Sequence, residues 1–406
     1  MASYFASVEQ QANPRLRGRP IGVVATMTPH GCIIASSREA KKIGIKTGCR
    51  IPEAQQLYPD VVLVEVDPPK YRSTSERIFS IAAEYSEAIE PYSIDEAFLD
   101  LTGVASSYDE AHRIAVEIQR RIREEVGEWL LCSVGVAPTR WLAKFASDTA
   151  PKGGVVVLTP DVMAAYLRGR VLEEAWGIAG ATAGRLQALG IATLDELAQY
   201  PVANLMATLG VRGYYLWANL HGIELAGVEV QRQPKSIGHS HILRRRTQDV
   251  RFHQAVLMRL CERTGRRLRE RELEAQGVYF HSSLVRRGAV GFSRIVHHPV
   301  IHTSQIFQMA WEAVRPYLGG DTPHWYAVGV YRLRPRVDQL SLFQNKKISP
   351  ALARALDMIN NKYGEETVVQ GELLKLGGIH APDRVGFRKS VAAEFQGDLV
   401  TVDTME

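Results

Sequence analysis

Two adjacent carboxylates, Asp95 and Glu96, stand between Tyr92-Ser93-Ile94 and the apolar run Ala97-Phe98-Leu99. The segment reads as strand, turn, strand. Burying two neighbouring negative charges is costly unless each is paired or binds a cation. The stretch alone leaves two readings open. It is a hairpin turn whose acids face water, or it is a divalent-metal site. Whatever the chain folds into must accommodate this pair at a hairpin.

The chain has 406 residues, enough for two to four domains and a sizeable core. Hydrophobic residues make up 46% and charged residues 23%, the balance of a soluble globular protein. Cys32, Cys49, Cys132 and Cys261 are scattered, which argues against a zinc cluster or a disulfide framework and suits a reducing cytosol. No apolar run reaches the roughly 20 residues of a membrane span, and no basic region followed by an apolar core marks a secretory signal. The net charge of +5 is a mild pointer to a polyanionic partner.

Taken in order, Tyr4-Phe5-Ala6-Ser7-Val8-Glu9 reads as the end of a strand entering a helix over 8–12. A core strand beginning at Met1 is odd, and preceding residues are expected to be missing. Residues 21–25 and 32–35 form a hairpin, and Ser36 or Ser37 caps a helix over 38–43 stopped by Gly44. Arg38 and Lys41 share a face of that helix, three residues apart, which ordinary solvated charges would also do. Strands are expected over 61–66, 130–136 and 155–158, with helices over 71–85, 108–126 and 138–149, the last carrying Arg140 and Lys144 on one side. Strands alternating with helices predict one α/β sheet domain up to this point.

The texture then becomes helical from about 163 to 225. Within it, residues 177–186 resemble a helix-hairpin-helix, whose Gly-containing turn lets backbone N–H groups approach a phosphate. Residues 229–246 form a basic linker holding Arg232, Lys235, Arg244, Arg245 and Arg246. Residues 236–333 read as β-α-β-β-α-β. Gln339-Leu340-Ser341-Leu342-Phe343 is a short apolar cluster that suits a partner's pocket, or an edge segment packed on its own domain. Ser349-Pro350 opens a short amphipathic helix, and the tail to Glu406 is expected to be only partly ordered.

With these pieces in order, the chain resembles the Y-family (translesion) DNA polymerases, the UmuC-like enzymes of bacteria. The resemblance covers nearly the whole chain. It rests on Tyr4-Phe5-Ala6-Ser7-Val8-Glu9, Glu39-Ala40-Lys41-Lys42-Ile43-Gly44-Ile45-Lys46-Thr47-Gly48, Ser93-Ile94-Asp95-Glu96-Ala97-Phe98-Leu99-Asp100, Ser133-Val134-Gly135-Val136 and Lys235-Ser236-Ile237-Gly238. Five collinear motifs are far more specific than any one. The resemblance implies an α+β multidomain, right-hand polymerase. Its palm would be 1–10 and 70–160, its fingers 11–69 and its helical thumb 161–228, with a linker over 229–235. A β-α-β-β-α-β little finger would span 236–343, and a C-terminal tail 344–406, with a clamp-binding motif at the junction.

The resemblance also implies the chemistry. Nucleotidyl transfer from a dNTP uses two Mg²⁺ ions, and Mg²⁺ takes a few carboxylates plus substrate oxygens. Asp95 and Glu96 become two of its ligands. Because neighbours on a regular strand point oppositely, both reach the same site only if the turn before Ala97 bends the backbone. Phe5 matches the steric gate that excludes a 2′-hydroxyl. Lys41 matches a triphosphate contact. Lys152 is displaced by one from the family's Lys-Pro, and Arg38 stands where many members have Tyr, though it could still pair a phosphate oxygen. Ala179 replaces a usual Gly in the thumb turn. The implied partners are primer–template DNA and a sliding clamp, bound through Gln339, Leu340, Ser341, Leu342 and Phe343; a cytoplasmic monomer is expected, with no membrane.

One departure matters. The family's third metal-binding carboxylate belongs immediately before Met1, and the first acid here is Glu9. The expectation is a truncated or wrongly started chain with little polymerase activity as written. A DNA- and clamp-binding protein with an impaired site is the alternative. A helix-hairpin-helix nuclease is a third reading, but it needs neither the clamp motif nor the basic helix at 38–43.

Overall fold

The computed structural model describes residues 1–28, 30–230, 234–243, 247–337, 350–364, 367–369 and 371. They fall into two compact units, one ending at the segment 231–233 and one beginning after it. The triple arginine 244–246 and the cluster 339–343 lie outside the described residues.

The first unit opens with a helix, Tyr4–Ala12, where the sequence predicted the end of a strand. Met1 to Ser3 form no strand; Ala2 N–H donates instead to the carbonyl of Leu131 (2.9 Å). The predicted hairpin follows as β1 (Ile21–Val24) and β2 (Ile33–Ser36), with β3 (Val62–Glu65) parallel to β1 in the order β2-β1-β3. The expected single α/β sheet is absent among the described residues. β4 (Ile89–Ser93) and β5 (Glu96–Leu99) pair only with each other, as do the parallel β6 (Val134–Val136) and β7 (Val155–Val157). The strand predicted over 130–136 is short for a plain reason. The carbonyl of Cys132 is taken by the Gln119 amide side chain (2.7 Å) and that of Leu131 by Ala2.

Helix Arg38–Lys42 is capped by Ser37, whose hydroxyl accepts from Ala40 N–H (3.2 Å), and it ends at Gly44, where φ is +89°. Helix Arg140–Thr149 is capped by Thr139 in the same way. It lies unusually close to β6. A side chain at Gly135 would meet the Ala143 carbonyl at 2.1 Å and Ser147 N at 2.5 Å, so only glycine lets strand and helix touch. Trp141, Leu142, Phe145 and Ala146 of that helix are buried with Leu158, Leu172, Leu186 and Leu197. Each such large side chain contributes about 1.5–3 kcal/mol of burial. A second core joins Tyr4, Val8, Tyr71, Phe79 and Ile94, binding the first helix and helix Pro68–Ala83 to the β4–β5 turn.

From Pro160 to Leu220 the unit is helical, as expected: Pro160–Leu167, Gly180–Gln187, Leu194–Gln199, Val202–Leu209 and Val211–Leu220. The second unit is the predicted β-α-β-β-α-β: β8 (Ser236–Ile242), helix Val250–Glu270, β9 (Leu273–Leu284), β10 (Gly288–Val300), helix Thr303–Val314 and β11 (Pro323–Pro335). Its antiparallel sheet runs β10-β9-β11-β8, with Phe280, Tyr326, Val328 and Leu257 buried at its centre. A further helix, Pro350–Tyr363, docks on this unit, where Asp357 receives two hydrogen bonds from Arg269 (2.7 and 2.8 Å).

Candidate active site

Ile94 and Asp95 form the two-residue turn between β4 and β5, where Ser93 faces Glu96 and the register slips between Pro91 and Ser93. The turn itself lies just before Glu96, where the sequence required a bend if both carboxylates are to face one site. Asp95 and Glu96 both line one open cavity of about 880 Å³, along with Lys41, Lys144, Asp148 and Lys152.

The turn is held from beneath. The Ser75 hydroxyl donates to the Ile94 carbonyl and accepts from the Tyr4 hydroxyl (2.7 Å), whose oxygen also lies 2.8 Å from the Tyr71 carbonyl. From the flank, Arg140 grips Glu90 of β4 while its guanidinium lies 4.1 Å over the Phe98 ring of β5. Tyr92, Phe98 and Trp176 complete an aromatic box around that cation.

Asp95 Oδ1 accepts from the Ser93 hydroxyl (2.9 Å), and Oδ2 lies 3.9 Å from the Met1 amino nitrogen, which donates to the Asp95 carbonyl (3.1 Å). Although 26% of the Asp95 side chain stays open, protein crowds its carboxyl. That dehydration pushes its pKa above the ordinary range; the Met1 ammonium opposes the shift and Glu96 adds to it. Glu96 Oε1 accepts from Lys144 Nζ (2.9 Å), which also donates to Asp148. Burial works against the Lys144 charge, but Asp148 and Glu96 outweigh it and hold its pKa above the usual lysine value.

The two carboxylates fit a hard divalent cation. Their donors are oxygens, one is too dehydrated to carry its charge at ease, and both open on the same space. Among the described residues no group of three or more His, Cys, Asp or Glu forms a metal-binding set.

Lys41 and Lys152 reach the cavity together. Burial, and then repulsion from Lys152, lower the Lys41 pKa, so the pair offers concentrated positive charge. Phe5 and Arg38 are not brought to the cavity wall. Phe5 stacks on Tyr71, with ring centroids 4.4 Å apart. Arg38 lies over Trp129 (5.4 Å) with its Nε buried and without a hydrogen-bond partner. Glu9, the first acid of the chain, is buried and receives hydrogen bonds from Lys70 and the Tyr71 hydroxyl (2.8 Å). At the stretch that resembled a helix-hairpin-helix, Gly177 adopts φ +96°, and helix Gly180–Gln187 opens on the exposed Ala179, Gly180 and Ala181.

Sequence reasoning placed Arg140 and Lys144 on one helix face but gave neither a role. The signal for the first was Glu90, a lone acid flanked by Ile89 and Pro91 in a strand that must be buried.

Residues 1–148 match the impB/mucB/samB family, and residues 234–342 match the C-terminal domain of that family. The DNA polymerase IV of Pelotomaculum thermopropionicum is 30% identical over 93% of this chain and 95% of its own length. That of Moorella thermoacetica is 33% identical over the same shares. The chain belongs to the Y-family DNA polymerases. It is a DNA-directed DNA polymerase of the translesion class. The fold agrees: a chimera of the Y-family polymerases Dbh and Dpo4 superposes with a TM-score of 0.73 at 24% identity, covering 82% of this chain and 98% of its own. The insertion ternary complex of Dbh DNA polymerase gives 0.60 over the same shares. No helix among the described residues is long and apolar enough to cross a membrane.

Proposed function

We propose that the cavity beside the β4–β5 turn is the polymerase centre, with Asp95 and Glu96 as its metal ligands and Mg²⁺ as the metal. The observation that carries this is the meeting of that carboxylate pair with Lys41 and Lys152 in one cavity. Two bound Mg²⁺ ions would activate the primer 3′-hydroxyl and neutralise charge on the departing pyrophosphate. Asp95 and Glu96 supply hard oxygens from a turn fixed by Ser75 and Arg140, so little reorganisation is needed when substrate arrives. Lys41 and Lys152 attract and orient the dNTP triphosphate. Phe5, on the first helix, is read as the residue that discriminates against a ribose sugar, and Arg38 as a second triphosphate contact that leaves Trp129 to make it.

In this reading residues 1–10 and 70–160 are the palm, 11–69 the fingers, 161–228 the thumb and 236–343 the little finger. Primer–template DNA is the macromolecular substrate. The sequence Gln339-Leu340-Ser341-Leu342-Phe343 is read as a sliding-clamp ligand. Replacing Leu342 and Phe343 by alanine then abolishes clamp binding and leaves clamp-free primer extension intact; loss of both would make the segment structural. A cytoplasmic location belongs to this reading, and the four free cysteines are compatible with it.

Primer extension with Mg²⁺ tests the centre. Asp95→Asn and Glu96→Gln each lose about a hundredfold or more, since a metal ligand carries several kcal/mol of transition-state stabilisation. Extension at the parental rate by either variant would overturn the assignment. The alternative, a DNA- and clamp-binding protein with impaired chemistry, draws on the absence, among the described residues, of any group of three or more His, Cys, Asp or Glu able to hold a metal ion. It predicts that the parent chain itself fails to extend a primer while still binding one.

A further inference from the structure

We propose that Lys144 is a built-in counter-ion for Glu96: a positioning residue whose ammonium occupies the cation's place beside that carboxylate and yields to the metal. The inference rests on the reading of Asp95 and Glu96 as metal ligands.

Lys144 Nζ donates to Glu96 Oε1 at 2.9 Å and to Asp148 Oδ1. Its side chain is only 11% exposed, whereas those of Glu96 and Asp148 are 35% and 39% exposed. The ammonium therefore sits under two carboxylates that open on the cavity. The helix delivering it is rigidly placed, with Thr139 at its N-cap, Leu142 and Phe145 fully buried, and Gly135 of β6 against its backbone.

Three acids, Asp95, Glu96 and Asp148, line this part of the cavity. Without a cation their mutual repulsion would splay Glu96 away from Asp95. Lys144 removes that repulsion and keeps Glu96 on the cavity wall. A divalent ion arriving at Glu96 meets the ammonium as a like charge, and the two cannot share one carboxylate oxygen without cost. Asp148 resolves the conflict. It lies one turn further along the same helix, so Lys144 can surrender Glu96 and remain paired.

The test is a Mn²⁺ titration followed by electron paramagnetic resonance, using the full chain with a dideoxy-terminated primer–template and no nucleotide. Lys144→Met should lower the Mn²⁺ Kd by about tenfold or more, since a unit charge a few ångströms from a divalent ion costs about that much even at a water-like dielectric. Lys144→Arg keeps the charge and should stay at the parental value. Asp148→Asn removes the fallback partner, ties Lys144 to Glu96 and should raise the Kd; this half-exposed site keeps the proposal testable if Lys144→Met fails to fold. Parental or weaker Mn²⁺ binding by Lys144→Met, or equal tightening by Lys144→Arg, overturns the proposal. If Asp95→Asn loses no Mn²⁺ binding, the metal-site reading itself fails and the counter-ion role falls with it. That arm leaves Lys144 untouched, so the two failures are distinguishable.

Discussion

Arg140 closes on Glu90 with two hydrogen bonds, Nε to Oε2 at 2.8 Å and Nη2 to Oε1 at 2.6 Å. Glu90 is 2% exposed, and a backbone N–H from Glu229 also points at it (3.2 Å). The pair ties the strand entering the Asp95 turn to the helix that carries Lys144. Arg140→Ala leaves a buried carboxylate without its counter-charge and should cost about 3–5 kcal/mol. Lys cannot replace the planar fork, so Arg140→Lys recovers only part of the loss. The double variant Glu90→Leu/Arg140→Leu should be less destabilised than Arg140→Ala, because no charge is then buried alone. Urea unfolding of the three variants checks the order.

Gly135 makes a second prediction. It is set by contact and not by backbone angle, since a Cβ there would fall 2.1 Å from the Ala143 carbonyl. Gly135→Ala must push helix Arg140–Thr149 off β6, at about 1–3 kcal/mol for such overpacking. Because that helix carries both Arg140 and Lys144, primer extension should fall by more than the loss of folded protein explains. A variant with reduced stability but unchanged specific activity would show that the helix moves without disturbing the site.

The second unit was readable because most of its elements are long, such as helix Val250–Glu270 and the strands Leu273–Leu284 and Pro323–Pro335. The first unit was harder for a physical reason. Its sheets are short ladders of three to five residues completed by side chains, and a contact such as Gln119 to the Cys132 carbonyl leaves no periodic trace. The first helix was misplaced because Tyr4 and Phe5 look β-forming, while their burial against Tyr71 favours a helix there. Asp95 and Glu96 stood out as acids among apolar residues. That Lys144, 48 residues on, answers Glu96 could not be seen without the fold.

Dehydration raises the Asp95 pKa, and this fixes a sign. An unfolded aspartate titrates near about 3.9. A folded-state value above that favours folding below the unfolded pKa, and the advantage is lost as pH rises through the folded value. In chelator at pH 7 the fold therefore disfavours the charged form of Asp95, and Asp95→Asn should raise Tm relative to the parent. Near pH 4 the gap should close. Adding Mg²⁺ at pH 7 should raise the parent's Tm and leave that of Asp95→Asn nearly fixed. Differential scanning calorimetry of both proteins under these three conditions decides it; a parent more stable than Asp95→Asn in chelator at pH 7 would contradict the buried-charge account.

Lys41 and Lys152 make the last prediction. Burial depresses the Lys41 pKa first, and the neighbouring Lys152 depresses it further. A triphosphate settling between them relieves both effects, so binding should draw a proton onto Lys41 wherever it is partly neutral. Affinity for the nucleotide must then weaken as pH rises, beginning below the range where an ordinary lysine would titrate. Lys41→Ala should raise KM for dNTP more than it lowers kcat, and should flatten this pH dependence. Lys152→Ala should have a smaller effect and should return the dependence to higher pH, because Lys41 then loses its repelling neighbour. Steady-state primer extension across the alkaline range distinguishes these outcomes. An unchanged pH profile in Lys41→Ala would mean that its ammonium does not meet the triphosphate.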